Sequence, residues 1–259
     1  MRVLAAQTYV SQGVKLGFDF IAPESDKPLP WIVFLHGGGW VSGDRSGYHE
    51  EAAWYAEQGF ATVCLSYRLA PLHPFPCAVA DVKAALAHLK SQADQLGIDA
   101  ERGAAFGNSA GGHLSLMAAL PVDGLPHGEE SLEAAVAICP ITDLRNPGET
   151  HFPISFSFLE QFIPDLDSAI GADVLAQASP AVHLDGLSSH LMLAHGSADD
   201  IVPVAQSRDF AKAAAELGDE KGLEVIYNEM PGEGHSFTYP AWMKMREDAL
   251  AFLQRRLAP

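Results

Sequence analysis

Basic residues are scarce in this chain: 16 Lys plus Arg stand against 33 Asp plus Glu in 259 residues, a formal charge of −17. So acidic a surface repels phosphate backbones, and no nucleic-acid partner is expected. Cysteine is sparser still. Cys64, Cys77 and Cys139 form no C-x-x-C pair, which argues against both a zinc site and a disulfide framework. Their apolar or proline-flanked surroundings read as sites for small buried hydrophobes. Long apolar runs are missing too: the longest, 31–35 and 134–139, are strand-sized and far below the roughly 18 residues of a membrane span. No membrane insertion is expected. The first residues turn polar at Gln7, too soon for the apolar core of a signal peptide, so the expected compartment is the reducing cytoplasm.

What is present is a globular composition, 48% hydrophobic and 19% charged, long enough for one large α/β core. Residues 15–21 alternate polar and apolar side chains as an edge strand would, and 23–30 is a turn-rich connection. The runs 31–35 and 61–65 are continuously apolar, which suits strands covered on both faces. Between them, 50–58 has helical spacing and stops at Gly59. The alternation continues with a helix over 79–90, a strand over 103–106, a helix over 109–119 and strands over 134–138 and 191–194. Pro203 opens a helix over 204–217, and a strand over 223–227 and a helix over 241–257 complete the chain. Such alternation implies a mostly parallel sheet with helices on both faces. Residues 142–187, rich in Pro, Phe, Asp and Ser, break the rhythm and read as a cap-like insertion into a single domain spanning 1–259.

Gly107-Asn108-Ser109-Ala110-Gly111 matches the G-x-S-x-G elbow at a strand-to-helix junction, with Ser109 as candidate nucleophile. The bland alternative is a glycine-rich turn in which Ser109 caps the helix. A second motif weighs against that alternative. His36-Gly37-Gly38-Gly39-Trp40 directly follows a strand and resembles the HGGG oxyanion loop of α/β-hydrolase esterases, where only glycine lets several N–H donors converge on one point. His36 is expected to hydrogen-bond the loop and hold its shape. Of the eleven histidines, His235, on a flexible glycine loop after the last strand, is the candidate base, because Ser, acid, His is the chain order of this fold. His113 is expected to pack or cap locally and His195 to anchor a loop. The acid is expected after the penultimate strand, where Asp199 and Asp200 are neighbours. Asp200 suits a helix cap, and Asp143 is a further candidate acid.

Joined together, these pieces resemble the hormone-sensitive-lipase-like esterases, and more closely the bifunctional feruloyl and acetyl-xylan esterase-like branch of the α/β-hydrolases, from about residue 31 onward. Gly43-Asp44, Tyr67-Arg68-Leu69-Ala70-Pro71, His73-Pro74-Phe75-Pro76, Ala178-Ser179-Pro180 and Val202-Pro203 share in the resemblance. Ser66 departs from it, since these enzymes often carry Asp before the Tyr-Arg pair. The resemblance implies an α/β-hydrolase fold and a Ser109, Asp199, His235 triad, with Asp199 at its place in Gly-x-x-Asp-x-x-Val-Pro. It also implies backbone oxyanion donors at Gly38, Gly39 and Ala110. Serine ester hydrolysis through an acyl-enzyme follows, with no metal or other cofactor.

Trp40, Asn108 and Phe156 are the expected substrate contacts. Phe152, Phe156, Phe158 and Phe162 would bound the pocket as one apolar face of a partly helical segment. Without a long N-terminal cap the pocket is expected to be open and to prefer acetyl to butyryl esters, aryl or acetylated sugar esters among them, over long-chain lipids. The partner is thus a small ester, with a homodimer left open. An arylformamidase-type amide hydrolase and a non-catalytic ligand-binding homologue are the alternative readings. Arg68 and Asp81 are expected to form a structural ion pair.

Overall fold

Strands of this chain bury both faces at the centre of the sheet because their side chains alternate between two separate cores. The computed structural model describes residues 1–122, 125, 131–145, 151–166 and 168–258. Its strands are β1 (Arg2–Ser11), β2 (Val14–Ala22), β3 (Leu29–Leu35), β4 (Ala61–Leu65), β5 (Ile98–Asn108), β6 (Ala134–Ile138), β7 (His190–Gly196) and β8 (Val225–Met230). They form one sheet in the order β1-β2-β4-β3-β5-β6-β7-β8. From β4 to β8 every neighbouring pair is parallel, while β1 and β2 run antiparallel. Trp31, Val33 and Leu35 of β3 enter one core, and Ile32 and Phe34 enter the other. The continuous apolar run is thus two alternating stripes, each with its own helical cover.

The helices among the described residues are α1 (His49–Glu57), α2 (Cys77–Ser91), α3 (Ala93–Leu96), α4 (Ala110–Ala119), α5 (Pro153–Phe162), α6 (Ala169–Gln177), α7 (Ala205–Lys221) and α8 (Tyr239–Leu257). Leu86 of α2, Leu114 of α4 and Phe210 of α7 fill the first core, and Tyr55 of α1 with Phe252 of α8 fills the second. Helices therefore cover both faces. Gly222, in the left-handed region at φ 71, ends α7, as a glycine C-cap does.

The N-terminal edge differs from expectation. The stretch over 15–21 lies in β2, which is an inner strand, because β1 covers it through a turn at Gln12 and Gly13 with φ 48 and 80. A register shift between Leu4 and Gln7 breaks the alternation of β1, so a period of two does not reveal it. Between β6 and β7 the described residues hold α5, α6 and a 3-10 stretch, Pro180–Gly186, with no strand. Positions 146–150 and 167 of the expected insertion lie outside the described residues. Cys64 and Cys139 are buried, whereas Cys77 is only half-buried, and none is in a disulfide. Among the described residues no helix is long and apolar enough to cross a membrane.

Candidate active site

Ser109 stands between β5 and α4 at φ 55 and ψ −122, a conformation that costs a non-glycine residue strain. The surroundings enforce it. A β-carbon on Gly107 would run into the carbonyl of Gly111, and one on Gly111 into the carbonyl of Leu35 at the end of β3. The Ser109 N–H donates to Ile138 O over 2.7 Å, which ties the turn to β6. The Ser109 side chain forms no capping bond to α4, so the helix-cap reading fails and the hydroxyl is left facing the cavity it lines.

Opposite it, Gly38 and Gly39 have φ 110 and 60. Gly38 O accepts from Val41 N and Ser42 N, each over 3.1 Å, so the loop closes on its own carbonyl. The N–H groups of Gly38 and Gly39 donate to no described residue. The Ala110 N–H belongs to the first turn of α4, where helical partners are lacking. His36 Nδ1 lies 2.8 Å from Gly37 O, its ring stacks on Tyr67 at 4.3 Å, and the Tyr67 hydroxyl donates to His36 O over 2.6 Å. That ring is a brace for the loop, as expected.

Asp199 and His235 meet at the cavity that Ser109 and His235 both line. His235 Nδ1 lies 2.7 Å from Asp199 Oδ2, and Asp199 Oδ1 accepts the N–H groups of Ile201 and Val202, each over 2.8 Å. Despite its burial, these hydrogen bonds and the two neighbouring histidines hold the Asp199 carboxyl well below the usual carboxylate range. The other acids are elsewhere. Asp143 is engaged by Arg145 over 2.7 Å, and Asp200 lies at the cavity wall without capping α7, whose N-terminus has no side-chain cap. The His235 loop is tied down rather than free. Gly232 N donates to Ser197 Oγ over 2.8 Å, Ala198 N to Glu233 O over 2.9 Å, and Thr238 N to Glu233 Oε2 over 2.6 Å.

Two contacts around Asp199 escape motif reading. His195 Nε2 is 3.0 Å from the same Oδ2 that receives His235, a contact hinted at only by the four-residue spacing. Cys139, at the end of β6, places its thiol within 4.8 Å of the Asp199 and His235 ligand atoms. Burial pushes that thiol up, and the carboxylate and imidazole are already bonded to each other. The trio fits a hydrogen-bonded network better than a metal site.

Ser109 and His235 line one cavity of about 610 Å³ together with Gly38, Gly39, Trp40 and Asn108. Trp40 is largely a wall, since its ring stacks on Phe162 at 4.3 Å and its Nε1 donates to His113 Nδ1 over 3.1 Å. The buried His113 ring, lowered to about 4 by desolvation, gives its Nε2–H to Ala178 O over 2.8 Å. Asn108 Oδ1 receives the Tyr48 hydroxyl over 3.0 Å. Phe156 does not line the cavity; Ile154 and Phe158 do, and the Phe158 ring lies against Gly39. The reason is the helix itself. Residues two apart on α5 point about 200° apart, so Phe156 and Phe158 cannot share a face, whereas 154 and 158 can. Phe152 precedes the helix and is exposed, and Phe162 is wholly buried.

Residues 18–214 match the family BD-FAE. The chain belongs to the BD-FAE family. Among curated relatives, esterase LipC of Mycobacterium tuberculosis is 33% identical over 82% of this chain and 54% of its own length. Ethyl acetate hydrolase of Pseudomonas putida is 30% identical over 83% of this chain and 69% of its own length. The chain spans about half the length of LipC, LipM and LipQ, at 54%, 53% and 52%. A thermophilic esterase of Thermogutta terrifontis, Est2, superposes with a TM-score of 0.79 at 26% identity, covering 98% of this chain and 94% of that one. This BD-FAE member therefore has the α/β-hydrolase fold of its esterase neighbours.

Proposed function

We propose that this BD-FAE member is a serine carboxylic ester hydrolase acting on small esters of short acyl groups. The observation that carries the reading is the buried carboxylate of Asp199, bonded to His235 in the cavity where strained Ser109 faces unpaired backbone donors. In this reading His235 takes the Ser109 proton as the hydroxyl attacks the ester carbonyl. Asp199 fixes the ring with Nδ1 protonated, so Nε2 is the basic atom. Gly38, Gly39 and Ala110 donate to the oxyanion. His235 then returns the proton to the departing alcohol, and water repeats the cycle on the acyl-enzyme. Among the described residues no hydrogen bond joins Ser109 to His235, and the proton transfer requires the two side chains to come within hydrogen-bond reach.

Support for short acyl groups comes from the wall made by Trp40, Ile154 and Phe158 beside Gly39. Est2 of Thermogutta terrifontis has been solved with propionate and with butyrate bound. Acetyl to butyryl esters, aryl and acetylated sugar esters included, are the proposed substrates.

The test is hydrolysis of 4-nitrophenyl acetate, butyrate and octanoate by the wild type and by Ser109→Ala, with N-formylkynurenine as the amide comparison. Ser109→Ala should lose about four orders of magnitude or more in kcat. Paraoxon, which phosphorylates the Thermogutta esterase, should label the wild type at Ser109 and leave the variant unlabelled. An active, unlabelled wild type would sink the assignment of the nucleophile. Faster turnover of the formamide would transfer the activity to amides.

A further inference from the structure

His195 is a titratable residue that the mechanism above does not use, and it is fully buried. Its Nε2 lies 3.0 Å from Asp199 Oδ2 and 3.1 Å from Val202 O, and its Nδ1 lies 2.7 Å from Ser207 Oγ. Both neighbours of Nε2 are acceptors, so Nε2 must carry a hydrogen. In the neutral ring Nδ1 then presents its lone pair, and the Ser207 hydroxyl is placed to donate to it. The ring is locked in one tautomer by partners on both sides. The one Nε2–H of His195 is thus shared between Val202 O, to which it is hydrogen-bonded, and Asp199 Oδ2, which lies 3.0 Å away and also receives the N–H of His235.

We propose that His195, held by Ser207, is a positioning residue for Asp199: it occupies the second acceptor direction of Oδ2 and so sets both the aim of the carboxylate and the charge it presents to His235. The proposal rests on the triad reading above. A carboxylate with a free lone pair and two single bonds can swing, whereas one gripped at Oδ1 by two main-chain N–H groups and at Oδ2 by a second ring cannot. The second donor also shares the negative charge. Without it the carboxylate would stabilise a protonated His235 more strongly, and the base would need a higher pH to become neutral.

The charged and titratable groups around this pair come from the ends of β6 and β7, from β8 and from α7. The Cys139 thiol faces Asp199 from the end of β6. Glu229 sits opposite His195 in the β7–β8 register and is bound by Arg208 of α7 over 2.7 Å and by the Tyr227 hydroxyl over 2.9 Å. Asp200 follows in the chain on the cavity side. Glu229 is neutralised by Arg208, and the buried Cys139 thiol is a further, weaker donor toward the Asp199 carboxylate.

The test compares the wild type, Ser109→Ala, His195→Phe and His195→Gln. Each is measured for the pH dependence of kcat and kcat/KM on 4-nitrophenyl acetate between about pH 5 and 9, and for its thermal midpoint. His195→Phe should lose about 10- to 100-fold in kcat with KM little changed, and its rising limb should move to higher pH by about half a unit or more. Glutamine places an N–H where Nε2 sits, so His195→Gln should restore most of the rate and the wild-type limb. A merely structural His195 would lower the midpoint and leave the limb of the folded enzyme where it was. That result, or a glutamine variant as impaired and shifted as phenylalanine, would overturn the proposal. Failure of the triad reading looks different, because Ser109→Ala would then stay active. If His195→Phe does not fold, imidazole ¹⁵N shifts of the wild type decide: Nε2 protonated and Nδ1 bare supports the proposal, and the opposite tautomer overturns it.

Discussion

Gly196 lies so close beneath Glu233 that a β-carbon on it would overlap the Glu233 carbonyl oxygen, with the Gly234 carbonyl pressed against the same point. The loop that carries Asp199 and the loop that carries His235 are therefore packed main chain on main chain. Ala198 N donates to Glu233 O over 2.9 Å and Ser197 N to Met230 O over 3.0 Å, which lock the two loops in register. A side chain at Gly196 would wedge them apart and lengthen the 2.7 Å contact between Asp199 and His235.

Gly196→Ala should for that reason cost activity as well as stability. A displacement of about 1 Å at a catalytic pair is worth roughly 100-fold in rate, and overpacking by one methyl costs about 1–3 kcal/mol. Kinetics on 4-nitrophenyl acetate and a thermal melt of the same preparation check this. A variant with wild-type kcat would show that the loops do not set the acid–base distance.

Asp199→Asn should lower kcat by about a thousandfold or more, because the amide no longer favours the Nδ1–H tautomer of His235. It should also change acid stability. The Asp199 carboxyl is held below its ordinary range in the folded state, so it contributes stability that is complete above its unfolded value of about 3.9 and is lost as pH falls through the lower folded value. The wild type should therefore exceed the variant by a constant margin at neutral pH, and the two should converge under acid. Urea unfolding at several pH values measures the margin. A gap that widened on acidification would contradict the sign.

The turn at Ser109, the glycine loop at 37–39 and the loops of Asp199 and His235 are legible as structure because each needs glycine where main chain meets main chain, and glycines at fixed offsets survive in a bare sequence. The central strands are legible for a similar reason, since burial on both faces leaves an unbroken apolar run such as 31–35. β1 is not, because the shift between Leu4 and Gln7 puts its two halves out of phase. Phe156 is misassigned from spacing alone, since a set of aromatics two and four apart contains more than one helical face. Contacts between distant elements, such as His195 Nδ1 to Ser207 or the Cys139 thiol beside Asp199, leave no local pattern at all.

Phe158→Ala should move acyl preference toward longer chains. The ring closes the cavity against Gly39, and removing it opens space where an acyl tail would lie. The ratio of kcat/KM for octanoate to that for butyrate should rise about tenfold, the usual worth of a few apolar contacts in such a pocket. Phe156→Ala should leave the ratio unchanged, because that side chain does not reach the cavity. Equal effects from both variants would mean that α5 acts as a whole rather than through the Phe158 ring.

Arg68 and Asp81 form an ion pair in which the Asp81 side chain is 0% exposed and the Arg68 side chain 9%. The guanidinium meets the carboxylate with Nη2 on Oδ1 at 2.6 Å and Nε on Oδ2 at 2.9 Å, and the Arg68 N–H adds a third donor to Oδ2 over 2.9 Å. Arg68 follows β4 and Asp81 lies in α2, so the pair joins the strand end to the helix that covers it. Neither residue lines the cavity of Ser109. Arg68→Ala would leave a buried carboxylate with only one main-chain partner, a change that costs about 3 kcal/mol or more. In a chain of this length that is a fall of about 6 °C or more in Tm. The KM for 4-nitrophenyl acetate should stay within about twofold, since no contact with substrate is lost. Arg68→Lys keeps the charge without the paired geometry and should recover only part of the midpoint. A raised KM at an unchanged Tm would move Arg68 from the scaffold into the binding site.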